Sequence, residues 1–172
     1  EATDELIRHY TFSEADLALI RQRRGPANRL GFAVQLCYMR YPGVMLAVDV
    51  EPFPSLLSLV AKQLKVPAEA WTDYGQRAET RREHLLELQS VFGFQPFATK
   101  HYRSSVHSLD ELAWQTDKGI VLANELVEGL RRRSVLLPSI GVIERICAEA
   151  ITRATRRIHE TLSEPLSDAH RH

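Results

Sequence analysis

Apolar residues recur at helical spacing along most of this chain, and the breaks between them are marked by proline, glycine and capping residues. Ser13 with Asp16 three positions on forms a capping-box start, which predicts a helix over 13–23. Gly25 suits the C′ position of that helix, and Pro26 suits the first turn of the next. In that next helix Leu30, Ala33, Val34, Cys37 and Tyr41 form a core stripe, ended by Pro42-Gly43. A connection over 44–54 follows, in which VMLAVDV is the only segment of strand-like composition. Helices are then expected over 55–65, 67–73 and 78–92, the last with Leu85, Leu88 and Phe92 inward and Arg81 and Arg82 outward.

The stretch GFQPFATK, 93–100, divides the chain into domains 1–95 and 96–172. Beyond it the spacing predicts helix 101–115 with Tyr102, Val106, Leu109 and Ala113 in register. Asp117 is placed to cap helix 118–132, with Ile120, Ala123, Val127 and Leu130 as its core face. A long helix over 139–162 turns Ile143, Ile146, Cys147, Ala150, Ala154 and Ile158 inward, and the tail after Pro165 is expected to fray. The fold class is therefore all-α, without internal repeats.

Charge adds what periodicity does not. The 172 residues carry 22 basic and 22 acidic side chains, so the net charge is zero. That balance hides segregation. Arg21, Arg23, Arg24, Arg29 and Arg40 lie in a run, Arg21–Gly43, that contains no acid. Seven arginines between 131 and 157 face only Glu144 and Glu149. Local charge, more than net charge, sets an electrostatic footprint.

No apolar run reaches membrane-spanning length, and the N-terminus EATDELIRHY has no signal-peptide core. Cys37 and Cys147 sit in apolar stretches and read as buried thiols of a reduced, cytoplasmic protein. There is no glycine-rich phosphate loop, no G-x-S-x-G and no H-E-x-x-H, and the seven histidines are scattered without metal-ligand spacing. His84 reads as a surface or packing histidine. An enzyme built wholly from this chain is not expected, and neither is a metal or cofactor within it.

Two helices joined by a tight turn form the basic DNA-reading unit, and the second helix enters the major groove N-terminus first. Three junctions fit this geometry. At 13–40 the second helix opens with Asn28 and Arg29, residue types that grip adenine and guanine through paired hydrogen bonds. Arg21, Arg23 and Arg24 lie beside the turn, either as phosphate contacts or as cations favoured by the dipole at the end of helix 13–23. At 55–74 Lys65 stands where a turn glycine is usual, and Glu69 and Asp73 would repel phosphate. The adjacent Arg77 and Arg81 are the candidate backbone contacts there. At 118–157 Arg131, Arg132 and Arg133 end one helix, again a position that the dipole favours. Arg145, Arg153 and Arg156 line the polar side of the next helix and are candidates for phosphates.

These residues also carry a resemblance. The stretch DELIRHYTFSEADLALIRQRRGPANRLGFAVQLCYMRYPG strongly resembles the N-terminal region of the Tn-three family of bacterial replicative transposases. The similarity continues through DYGQRAETRREHLLELQSVFGFQPF and TDKGIVLANELVEGLRRRSVLLPSIGVIERICAEA to RATRRIHETL, covering about residues 4–166. Lys65 and the VMLAVDVEPF linker are local departures. The resemblance implies a non-catalytic piece of a longer bacterial transposase, built of two tandem helical, helix-turn-helix-like DNA-binding domains. It implies double-stranded DNA at the transposon's terminal inverted repeats as partner; the neutral net charge leaves part of the surface for docking onto the rest of the transposase or onto a second copy in a homodimer. It also places the Asp-Asp-Glu centre, which needs a divalent metal such as Mg²⁺, in a downstream domain, and the protein in the cytoplasm at the nucleoid. The rival reading is an all-helical protein-interaction or dimerisation module whose arginines meet acidic protein surfaces.

Overall fold

The computed structural model describes residues 2–47, 49–75 and 78–171. Among these the regular structure is entirely helical. The helices are α1 (Ala2–Tyr10), α2 (Glu14–Arg21), α3 (Gly25–Arg40), α4 (Pro54–Leu64), α5 (Ala70–Gly75), α6 (Ala78–Phe92), α7 (Thr99–Ser108), α8 (Asp110–Gln115), α9 (Gly119–Arg132) and α10 (Ile140–Arg171). They form two compact units, Glu1–Gln95 and Pro96–His172. No helix among the described residues is long and apolar enough to cross a membrane.

The first unit is built around α3. Ten successive residues, Leu30 to Met39, are buried there, because α1, α2, α4, α5 and α6 all pack against this helix. The expected stripe is thus a fully enclosed helix. A helix apolar all round belongs inside a fold, and GFAVQLCYM has that character except at Gln35, which is buried with it. The end of the stripe is different: Tyr41 is 38% exposed and stacks on His9 with ring centroids 4.2 Å apart. Gly31 is required by close approach. A Cβ there would lie 2.2 Å from the Tyr74 ring of α5.

The start of α2 follows the sequence signal. Ser13 Oγ accepts from the Asp16 amide at 3.1 Å and Asp16 Oδ2 accepts from the Ser13 amide at 3.0 Å. Gly25, expected to close α2, instead opens α3 at φ +82°, and Pro26 fills the first turn as expected. The connection after α3 forms no strand over its described residues; Leu46 is buried from it while Met45 stays exposed. Helix α4 ends at Lys65, which adopts the left-handed conformation at φ 57°. That conformation is the one glycine supplies without steric cost, so the sequence departure at Lys65 is also a conformational one.

Helix α6 corrects the expected inward face. Arg81, His84 and Leu88 are buried, spaced i, i+3 and i+7, whereas Leu85 is half-buried and Leu86 is 61% exposed. Arg81 and His84 face inward because the core offers them partners, described below.

In the second unit the expected helix 101–115 is two helices, α7 and α8, divided at Leu109. Helix α9 presents Leu122, Leu126 and Leu130 to the core, and Ile120 is 69% exposed. The expected face Ile120, Ala123, Val127 and Leu130 was therefore rotated from the true one. Lys118 rather than Asp117 stands at the N-cap, with no side-chain cap bond. Helix α10 brings Ile146, Cys147, Ala150 and Ala154 into the core with Val106, Leu109, Ala113 and Val135. It continues as helix to Arg171, past the expected end at 162. Each fully buried leucine here contributes roughly 2 kcal/mol by leaving water.

Candidate nucleic-acid interface

The arginine-rich run divides into two populations. Arg40 forms a two-point ion pair with Asp16, at 2.8 and 2.9 Å, and its guanidinium lies 5.0 Å from the Phe92 ring centroid. This contact, set against some burial and helped by the Ser13 amide, holds the Asp16 carboxyl below its usual range. Arg23 pairs with Glu87 of α6 and lies 4.8 Å over the Phe32 ring. Both arginines tie helices together. The acids that neutralise them come from outside the run, 24 and 64 positions away.

Arg21 and Arg24 form the other population. Both are exposed at the α2–α3 turn. Arg29 is half-buried, and its Nε–H donates to the Arg23 carbonyl at 2.9 Å. Asn28 is half-buried and already engaged within the fold. Because α3 is buried from Leu30 to Met39 and Arg40 is held by Asp16, its first turn is the part open to a ligand.

Arg81, expected at a phosphate, is instead 2% exposed. It donates to the carbonyls of Leu46 and Ala47 at 3.4 and 3.1 Å and lies 5.5 and 5.6 Å from the Trp71 and Tyr74 rings. It holds the α3–α4 connection onto α5 and α6. Arg77 falls outside the described residues. The exposed positions at the α5 turn include Thr72 and Asp73, so an acidic side chain stands where a groove-reading helix would need donors.

A buried polar cluster went unread in the sequence. Tyr74 Oη and His84 Nδ1 are 3.0 Å apart, with their rings stacked at 5.5 Å, and Phe32 meets His84 edge-on at 5.3 Å. Burial, reinforced by the nearby Arg23 cation and opposed by Glu87, lowers the His84 pKa to about 4. Burial likewise pushes the Tyr74 hydroxyl up. The neutral imidazole is therefore a packing group, one of the two readings open to His84. Burial pushes the Cys37 thiol up to about 12, and both cysteines are free and buried.

In the second unit Arg145 and Arg156 are exposed on α10. Arg153 is half-buried, 3.5 Å from Asp110 Oδ1, and its guanidinium donates toward His107 Nδ1 at 3.3 Å. Arg131 pairs with Glu128 at 2.7 Å and Arg132 with Glu125 at 3.4 Å. Such surface pairs are weak, so they compete poorly with a strong anion. Among the described residues no group of three or more His, Cys, Asp or Glu side chains could hold a metal ion. What these surfaces offer is fixed positive charge and hydrogen-bond donors.

Residues 1–150 match the family model described as Domain of unknown function (DUF4158). The chain is 66% identical over 171 residues to the transposase for transposon Tn21 of Escherichia coli, covering 99% of this chain and 17% of that protein. It is 52% identical to the transposase for transposon Tn501 of Pseudomonas aeruginosa, again over 99% of this chain and 17% of the relative. It is 35% identical to the transposase for transposon Tn1546 of Enterococcus faecium, over 93% of this chain and 16% of that protein. The chain thus spans about a sixth of the length of the curated relatives it matches.

Proposed function

Because this chain belongs to the DUF4158 family and to the N-terminal region of Tn-three family transposases, we propose that it binds double-stranded DNA at the terminal inverted repeats of a transposon. The observation that carries this reading is the sorting of the arginines. Once Arg23, Arg40 and Arg81 are assigned to contacts within the fold, Arg21 and Arg24 remain exposed at the N-terminal end of α3. Arg145 and Arg156 remain exposed on α10. These four are the proposed phosphate contacts, with Arg153 as a fifth that would exchange its distant ion pair for DNA. Arg29 is the proposed base contact of the first unit, together with Asn28, which would exchange its contact within the fold for a base. Arg29 is held at its Nε by the Arg23 carbonyl, which leaves the terminal edge of its fork for guanine.

Strand cleavage and joining, with their divalent metal, belong in this reading to the five-sixths of the relatives' length that this chain does not cover. The second unit also exposes Trp114, Val121, Ile158 and Leu162, at 41, 39, 37 and 67%. Trp114, Val121 and Ile158 line one groove, which favours an additional contact with the remainder of the transposase; a second copy of the chain is the alternative occupant.

The test is a titration of the intact chain against a duplex from a Tn21 end and a shuffled duplex of equal composition. Preference for the Tn21 duplex that survives physiological salt is expected. Equal affinity for both duplexes, seen only at low salt, would leave the interaction reading in its place.

A further inference from the structure

Helix α7 was not among the elements expected to touch DNA. Its buried side carries His101, Ser105 and Val106. Its solvent side carries Lys100, Arg103, Ser104 and His107, all exposed. Spacings of three, one and three residues put these four on one helix face. Residues 88–109 contain no Asp or Glu, so the first two turns of this face have no acid of their own.

Other helices bring cations to either side of the same face. Arg133, the C-cap of α9, is exposed and lines one pocket with Ser108 of the last turn of α7, a pocket that Glu125 also lines. On the other side Arg153 of α10 reaches His107 at 3.3 Å. The nearby acids lie away from the first turns. Asp110 stands beyond the last turn, 3.7 Å from His107, and Glu149 accepts from the Tyr102 hydroxyl at 2.9 Å on the α10 side.

We infer that α7 is the helix of the second unit that enters the major groove, with Lys100, Arg103 and Ser104 at base edges and Arg133 and Arg153 at the flanking phosphates. The inference rests on the duplex-DNA reading above and deepens it. A groove-reading helix needs an exposed face of hydrogen-bonding side chains near its N-terminus and cations on either side to set its register. Arginine and lysine suit guanine, and serine accepts or donates to several bases. At ten residues α7 is about 15 Å long, enough to lie in a groove roughly 12 Å wide. Within the second unit α10, whose exposed Arg145 and Arg156 lie three turns apart, offers no such face.

The experiment uses the intact chain, the Tn21-end duplex and the shuffled duplex, titrated at two salt concentrations. Arg103→Ala is expected to weaken binding to the Tn21 end by about 5- to 150-fold while changing shuffled DNA by less than about twofold. Arg103→Lys is expected to recover only part of the loss, since the paired contact is missing. Arg133→Ala should weaken both duplexes alike and lower the salt slope by about one. Melting followed by circular dichroism should be unchanged, because these side chains are exposed. If the wild type prefers the Tn21 end but Arg103→Ala loses equally on both duplexes, or loses nothing, α7 is not the reading helix and the DNA-binding proposal stands without it. If the wild type shows no preference at all, both proposals fall.

Discussion

Replacing Arg81 with alanine separates a core arginine from a phosphate arginine. The side chain is 2% exposed, donates to two backbone carbonyls and lies over two aromatic rings. Truncation strands the carbonyl of buried Leu46, at a cost of about 1–3 kcal/mol where a buried group goes unsatisfied, while that of exposed Ala47 can turn to water. It also empties the space beside Trp71 and Tyr74, and long-to-Ala core substitutions cost roughly 2–5 kcal/mol in total. The loss of two cation–π contacts falls within that range rather than adding to it in full. We expect a loss of about 3–5 kcal/mol from the first unit. With a urea m-value of about 2 kcal/mol/M, the midpoint drops by roughly 1.5–2.5 M. Trp71 fluorescence reports the transition in a Trp114→Phe background, since Trp114 is the other tryptophan of the chain. Arg24→Ala, truncating an exposed side chain, should move the midpoint little, within about 0.5 kcal/mol. An unchanged midpoint for Arg81→Ala, with weaker binding to every duplex and a smaller salt slope, would refute the assignment and return Arg81 to the phosphates.

Lys65→Gly should raise stability by about 0.5–1 kcal/mol. Relief of the left-handed strain at φ 57° is worth roughly 1–2 kcal/mol, offset in part by the greater freedom of glycine in the unfolded chain; a lower urea midpoint would contradict this. His84 imposes a pH dependence with a definite sign. Its folded pKa is about 4, below the unfolded value of about 6.5, so between these values the unfolded state binds more protons and stability falls as pH falls. Charged and polar groups facing it are Arg23, Glu87 and Tyr74. His84→Gln should flatten the stability–pH slope in that window, and an unaltered slope would assign it elsewhere.

How much of this was legible in the sequence depends on range. The capping box at Ser13 and Asp16, the Pro26 start of α3 and the bounds of α6 are local matters, decided within a turn or two, and they read correctly. Inward faces read less well where a helix carries apolar residues on several sides. In α9 the run Ile120 to Leu130 supports more than one stripe, and packing against α10 selected Leu122, Leu126 and Leu130. In α6 polarity itself misled, because Arg81 and His84 look like surface residues until their partners are known.

The family, the helical class and the concentration of arginine between residues 21 and 43 were determined by the sequence alone, since each is a property of residue order. Which arginines remain for a ligand was decided only by tertiary structure. Charge along the chain is visible in one dimension, but neutralisation is a matter of distance in three. Asp16 and Glu87, remote in sequence, are brought against Arg40 and Arg23 by the packing of α2 and α6 on α3. The same packing leaves Arg21 and Arg24 in water at the turn.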